Sequence, residues 1–342
     1  MTIIITIIAT IFVFGLLVLF HEFGHFATAK LVGMRVDEFA IGFGPKLFSY
    51  KYGETIYSLR IIPLGGYNKI AGMEPEEDAG ERSYCKKPIW ARLIVISAGS
   101  LMNFVLPVIL FFMIFIASGI DTPSTEPIIG NIMPNKPAAM SGLQPGDRIV
   151  KINNEEISSW NKFVEVIQVN SGKVLKVEYN RAGNINTASL IPELDTKSNH
   201  GIIGVTADLN KYYPGIGESF VLSCKHTVYI INAMIEGLFQ MFTGKTSADV
   251  SGPIGVAKMT GEVARLGLAA LLQFAAFLSI NLGIINLLPL PALDGGHIVT
   301  LLVEGIRRKP LNKKTIYYIQ MVGFLLIIAL MIFTTFNDIK NL

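Results

Sequence analysis

The sequence predicts a helical, polytopic membrane protein with four transmembrane helices and one small β-rich domain outside the membrane. Three observations carry this. Of the 342 residues, 51% are hydrophobic and only 16% charged, and the mean hydropathy is +0.49, far too apolar for one soluble globule. Four uncharged runs, Thr2 to Phe20, Leu93 to Ile120, Leu266 to Leu293 and Thr315 to Asn337, are near or above the roughly 20 apolar residues that a helix needs to cross a bilayer core. The β-branched runs IIGNIM, DRIVKIN and KVLKVEY, broken by Pro, Gly and Asn, cluster in one polar stretch between the second and third runs.

The first span, residues 1–30, has no Lys or Arg before its apolar run and no small-residue cleavage site after it, so it reads as a retained helix. Residues 31–91 form a loop in which KLFSYKYGETIYSLRII has two strand-like halves around Tyr52-Gly53-Glu54, a hairpin signal. The segment Lys30 to Arg92 carries ten Lys and Arg, and Val303 to Lys314 carries five, which places both on the cytoplasmic side. The second span is residues 92–120. Asp121 to Arg265 holds thirteen Lys and Arg, but segments of that length translocate largely regardless of charge, so it is expected outside together with both termini.

Residues 124–207 are the compact β-rich domain, with one helical stretch from Ser159 to Val169. Residues 208–265 follow as a linker in which Gly217 to Phe242 has helical apolar spacing, suiting a helix on the membrane surface or a plain domain helix. Residues 266–297 are the third span, 298–314 a cytoplasmic link and 315–337 the fourth span. The net charge of +3 averages over compartments, and no basic stripe with interleaved aromatics points to nucleic acid. Cys85 and Cys224 fall on opposite sides of the membrane in this topology, so they form no disulfide.

The chemistry-bearing motif is HEFGH at the end of the first apolar run. His21 and His25 are i and i+4, so on a helix they share a face one turn apart and can ligate one Zn2+, with Glu22 beside it as a candidate base. The plainer alternative, three polar residues marking a helix end at the interface, suits a single histidine better than all three groups. A catalytic zinc has three protein ligands and an open position for water. If the first and third spans run in parallel, Asp294 reaches the depth of His21, and His297 one turn further is the rival. His200 and His226 fall outside. Pro289 and Pro291, followed by Gly295 and Gly296, interrupt the helix before Asp294, and such unwinding is tolerated in a membrane only against protein or water.

HEFGH, NLLPLPALDGG and the external LQPGDRIVKINN, with GFGPKL, IPLGGY and SGPIG in order between them, resemble the site-two protease family of intramembrane zinc metalloproteases, over nearly the whole chain. The resemblance implies zinc held by His21, His25 and Asp294, with Glu22 as the catalytic carboxylate. It also implies substrate held by Asn286, with Pro289 and Pro291 beside it. The β-rich domain becomes a single PDZ domain, either a size gate or a receptor for an exposed C-terminus, and the loop hairpin becomes a membrane-associated element that pairs with an unwound substrate.

Two departures stand out: relatives usually have Gly-Pro where this chain has Gly99-Ser100, and the closest often have two PDZ domains. The implied activity is cleavage of single-span membrane proteins in a bacterial inner membrane, of the anti-sigma-factor type, after an upstream site-one protease has trimmed them. Removal of remnant signal peptides and a non-catalytic PDZ-bearing adaptor are the alternatives. A transporter fits poorly, because no inverted repeat is present.

Overall fold

The computed structural model describes residues 2–73, 80–195, 199–245 and 252–340. Parts of the expected 31–91 loop, the β-rich domain and the 208–265 linker, and Ser251 of SGPIG, lie outside the described residues. The chain divides into two compact units, one made of Met1–Ser118 with Gly215–Leu342, the other Gly119–Pro214.

The first unit opens with α1 (Thr2–Leu31), a helix apolar all round until His21. The strands β1 (Val36–Tyr52) and β2 (Thr55–Ile70) meet at the Gly53-Glu54 turn, where Gly53 takes the left-handed conformation (φ 59°) that glycine adopts without strain. The sequence reading confined the hairpin to residues 46–62, whereas the strands run further and fold back. Residues 36–41 pair with residues 56–59 on one side and with residues 66–70 on the other, and residues 46–52 pair with the outer side of residues 55–60. The result is a bent sheet of four segments in the order 46–52, 55–60, 36–41, 66–70. Gly42 and Gly44, at φ 90° and 83°, make the bend, and at Gly42 a Cβ would lie 2.7 Å from the Ile62 carbonyl oxygen.

Among the described residues, six further α-helices belong to this unit: α2 (Ile89–Ser118) and five that follow residue 214. α2 packs its buried stripe, including Val95, Ser100, Asn103 and Leu106, between α1 and later helices.

The second unit begins with β3 (Ile120–Pro123) and β4 (Ile129–Ile132), followed by α3 (Pro137–Met140), β5 (Arg148–Ile152), β6 (Glu155–Glu156) and α4 (Trp160–Val169). It continues with β7 (Leu175–Arg181), β8 (Asn184–Leu190), β9 (Glu193–Leu194), β10 (Gly201–Ile202), β11 (Val205–Ala207) and β12 (Leu209–Tyr212). A four-stranded antiparallel sheet in the order β6-β5-β7-β8 and the pairs β4–β11, β3–β12 and β9–β10 enclose a core of Phe163, Ile149, Ile152, Leu175 and Ile129. Ser159 caps α4 by accepting from the Lys162 N–H. This is a PDZ-like β domain. Its LQPGD turn is explained by Asp147, buried at 1% exposure, whose carboxylate accepts the Gln144 N–H and two bonds from the Arg181 guanidinium at 2.7 and 2.8 Å.

Back in the first unit, the stretch Gly217 to Phe242 with helical spacing forms α5 (Ile216–Phe242), and the same linker holds a second helix, α6 (Pro253–Arg265). α5 packs on α2 through His226, whose ring stands edge-on to Phe111 at 4.6 Å. α7 (Leu268–Leu287) stops where LeuProLeuPro begins, and α8 (Asp294–Arg307) starts at the acidic residue itself, so much of the expected 298–314 link is helical. Helix propagation was hidden there because VTLLVEGIRR lies beside a cluster of basic residues that reads as a loop. α9 (Lys313–Lys340) closes the chain and presents Asp338 to the start of α6, accepting from the N–H groups of Gly252 and Gly255 at 2.9 and 2.8 Å. The GPIG of SGPIG is therefore a helix N-terminus capped in trans by a carboxylate. α1, α2, α7 and α9 are long and apolar enough to cross a membrane.

Replacing Asp147 by Ala leaves Arg181 and the Gln144 N–H without their partner. We expect a loss of about 2 kcal/mol from the 119–214 unit, below the roughly 3–5 kcal/mol of a fully buried pair because Arg181 reaches solvent. Hydrogen exchange of the β5 and β7 amides in the full chain checks this, and unchanged protection contradicts it.

Candidate metal centre

α1 places His21 and His25 on one face, with ring centroids 4.8 Å apart and the two Nε2 atoms 3.3 Å apart. The Asp294 carboxylate meets them, Oδ2 lying 3.7 Å from His21 Nε2 and Oδ1 3.6 Å from His25 Nε2. All three side chains are largely buried, at 15%, 12% and 14% exposure. Donors about 2.0–2.1 Å from a tetrahedral zinc sit roughly 3.4 Å from one another, so this set fits that ion with only small adjustments. Among the described residues it is the one such group of His, Cys, Asp and Glu side chains.

The local backbone explains why the sequence has these residues here. A Cβ on Gly24 would lie 2.3 Å from the Ala98 carbonyl oxygen, and one on Gly99 would lie 2.1 Å from His25 Nε2. Glycine at both positions lets α1 and α2 approach until the histidines press on α2. After α7, the turn from Leu288 to Leu293 folds back over the start of α8. A Cβ on Gly295 would lie 2.1 Å from the Leu288 carbonyl oxygen, and one on Gly296 2.3 Å from that of Leu290. The double glycine of LDGG is thus a packing requirement that sets Asp294 at the first turn of α8, where the helix dipole favours a carboxylate.

Each of these three side chains also has a partner on its far side. His25 Nδ1 lies 2.8 Å from the Val95 carbonyl oxygen, His21 Nδ1 lies 3.2 Å from the Asn103 amide, and the Ser100 hydroxyl donates to Asp294 Oδ2 at 2.8 Å. Glu22 is held from the sheet: the Asn68 amide nitrogen donates to its Oε2 and to its backbone oxygen, both at 2.7 Å. The sheet comes this close because residue 66 is Gly, where a Cβ would stand 2.9 Å from Glu22 Cγ.

Of the residues singled out from sequence, the structure brings His21, Glu22, His25 and Asp294 together. His297 sits instead in a narrow crevice with Pro291, Gly296, Thr300 and Gln320. Asn286 is half-buried near the end of α7, Pro289 is exposed, and Pro291 is half-buried against Gly323 of α9. Sequence reasoning passed over Asn68 and gave Ser100 and Asn103 no role. The available signal was a polar stripe at helical spacing, Ser97, Ser100 and Asn103, inside an apolar span.

This geometry predicts that Asp294→Ala lowers bound zinc together with activity, whereas His297→Ala keeps one metal per chain. Elemental analysis of the purified variants checks both, and the reverse pattern would make His297 the ligand.

The pattern that defines peptidase family M50 matches residues 9–330. The chain is 33% identical to the regulator of sigma-W protease RasP of Bacillus subtilis, with 98% of this chain and 99% of that protein covered. That alignment extends over 418 positions, more than the 342 residues here, so RasP carries insertions relative to this chain. A Clostridium acetobutylicum protein provisionally named a zinc metalloprotease is 38% identical over 335 residues, with 97% of each chain covered. Among solved structures, a PDZ domain from Listeria monocytogenes is similar at 23% identity and a TM-score of 0.22, over 26% of this chain and 93% of that domain. The chain accordingly belongs to peptidase family M50, the site-two proteases, and is a zinc metalloprotease that has, among the described residues, four helices long and apolar enough to cross a membrane.

Proposed function

We propose that this protease hydrolyses peptide bonds inside the transmembrane segments of single-span membrane proteins, with His21, His25 and Asp294 holding the zinc. The observation that carries the proposal is the edge segment 66–70 of the folded sheet, which is tied to Glu22 through Asn68. A transmembrane helix hides its peptide bonds in its own hydrogen bonds, so it must unwind to be cut, and its freed backbone groups then need partners. A strand at the edge of a sheet, beside Glu22, suits strand addition by such a substrate.

A zinc ion held by His21, His25 and Asp294 would supply Lewis acidity toward the scissile carbonyl and a water of lowered pKa. Glu22 accepts the proton of the attacking water and passes it to the leaving amine. Asn68 keeps the Glu22 carboxylate turned toward the site. Asn286, Pro289 and Pro291 line the approach as substrate-binding residues, Asn286 by hydrogen bonding to extended backbone. The rim of the sheet supports insertion into lipid, since Leu47, Phe48, Tyr50 and Tyr52 are all more than half exposed.

The distribution of Lys and Arg supports an orientation with the sheet and the α8–α9 link in the cytoplasm, and with both termini and the PDZ domain on the other face of a bacterial inner membrane. Substrates of the anti-sigma-factor type, trimmed first by a site-one protease, suit a centre that admits extended chain. Remnant signal peptides would present the same chemistry.

Glu22→Gln keeps the shape of the side chain and removes the base. We expect zinc to stay bound while cleavage of a model single-span substrate falls by about 10²–10⁴-fold, and near-normal turnover would remove Glu22 from the mechanism. For the orientation, an impermeant thiol reagent applied to sealed spheroplasts should leave the exposed Cys85 unmodified until lysis. Labelling of Cys85 before lysis reverses the topology.

A further inference from the structure

α2 supplies no zinc ligand, yet it touches all three. Val95, Ser100 and Asn103 fall on one stripe of the helix, and each meets a different ligand: the Val95 carbonyl meets His25, the Ser100 hydroxyl Asp294, and the Asn103 amide His21. Ser100 and Asn103 are fully buried, at 0% exposure, in a span made mostly of apolar side chains. Polar groups are retained at such depth only where they have partners to serve.

The hydrogen bonds fix which ring atoms face the metal. Both Nε2 atoms point at the Asp294 carboxylate and at each other, so the metal takes Nε2 and each neutral imidazole keeps its proton on Nδ1. For His25 the acceptor of that proton is the Val95 carbonyl, 2.8 Å away. For His21 the facing group is the Asn103 amide, placed with its nitrogen toward Nδ1 at 3.2 Å, a donor where an acceptor is required. The other end of the same amide, Oδ1, is buried without a hydrogen-bond partner. Nitrogen and oxygen of an amide are nearly isosteric and are assigned from their partners. Turning the Asn103 amide by half a revolution gives His21 Nδ1–H its acceptor, and the amide nitrogen then takes the buried position that the oxygen holds now. The nearby Gly99 carbonyl is a competing acceptor for the same ring.

At Asp294 the logic is complementary. A carboxylate with two free oxygens can slide between one-oxygen and two-oxygen binding. The Ser100 hydroxyl donates to Oδ2, so Oδ1 is the oxygen left without that bond and the one that would hold a metal. Proline at position 100 could not provide this bond.

We propose that Asn103 and Ser100 are positioning residues of the metal centre: Asn103 fixes the tautomer of His21 by accepting from Nδ1–H, and Ser100 holds Asp294 in single-oxygen ligation. The proposal rests on His21, His25 and Asp294 being the ligands.

The test is zinc affinity by chelator competition on the full chain in detergent, together with the visible spectrum of the cobalt-substituted protein and the melting temperature of each variant. Asn103→Leu is expected to weaken zinc about 10- to 100-fold, while Asn103→Asp, which keeps an acceptor, stays within a few-fold of wild type. Ser100→Ala should weaken zinc and shift the cobalt bands, and Ser100→Thr, which keeps the hydroxyl, should restore both. Equal losses in Asn103→Leu and Asn103→Asp, at unchanged melting temperature, overturn the acceptor role. Wild-type affinity in Asn103→Leu does the same and leaves the Gly99 carbonyl as the acceptor. Wild-type affinity and bands in Ser100→Ala overturn the role of Ser100. His25→Ala serves as the control: if it keeps full zinc, the ligand assignment itself fails, an outcome separate from those above.

Discussion

The close crossing of α1 and α2 is the contact on which the rest of the first unit depends. In a bilayer, lipid tails are as apolar as leucine, so helices associate through close packing and hydrogen bonds rather than by escaping water. Gly24 against the Ala98 carbonyl, and Gly99 against the His25 ring, bring the two backbones together where side chains would hold them apart. The histidines then have nowhere to go but along α2, where their Nδ1 atoms find Val95 and Asn103. α7 also packs on α2, with Gly283 against Phe104 and Asn103 and the Ser279 hydroxyl donating to the Asn103 carbonyl. α2 is thus the post against which α1 sets His21 and His25 and α8 sets Asp294.

Delivery of Asp294 requires backbone that is not helical. From Leu288 to Leu293 the chain turns tightly, with Ala292 at φ 71°, a conformation costly for a residue with a Cβ. The exposed N–H groups are satisfied within the turn, Leu288 to Ile285, Leu290 to Leu288 and Leu293 to Leu290. α9 covers the outer side, where a Cβ on Gly323 would lie 2.3 Å from the Pro291 carbonyl oxygen. Irregular backbone is tolerated in hydrocarbon only when protein or water faces it, and here the covering helix and the internal bonds meet that condition.

The folded sheet joins the chemistry to the surface. Its interior is polar: Glu38 accepts from Ser58 and Arg60, and Arg60 lies over the Tyr67 ring at 5.1 Å. Its rim is apolar and its innermost segment touches Glu22. Beyond the turn, Lys30 and Arg82 both bind Glu54 and hold its carboxyl below the usual carboxylate range, which ties the sheet's tip to the end of α1. A sheet anchored at its tip and at the base has little freedom to slide past the metal centre.

The sequence alone determined the features that depend on composition and short spacing. Run length and the absence of charge marked the four apolar spans, because a bilayer core demands about 20 apolar residues whatever the neighbours are. The i, i+4 spacing of His21 and His25 put two ligands on one face, because 3.6 residues make a helical turn. The break at Pro289 and Pro291 announced unwinding, because proline cannot continue a helix. Tertiary structure decided what depends on residues far apart in the chain. Residues 66–70 paired with residues 36–41 rather than trailing off as loop, and α8 began at Asp294 because two glycines let the preceding turn fold onto it. Asn68 reached Glu22 across 46 positions of sequence and Ser100 reached Asp294 across 194. No periodicity encodes such meetings, since a buried amide or hydroxyl reads the same in sequence whether it bonds its own helix or a ligand on another, and only the packed helices choose between them.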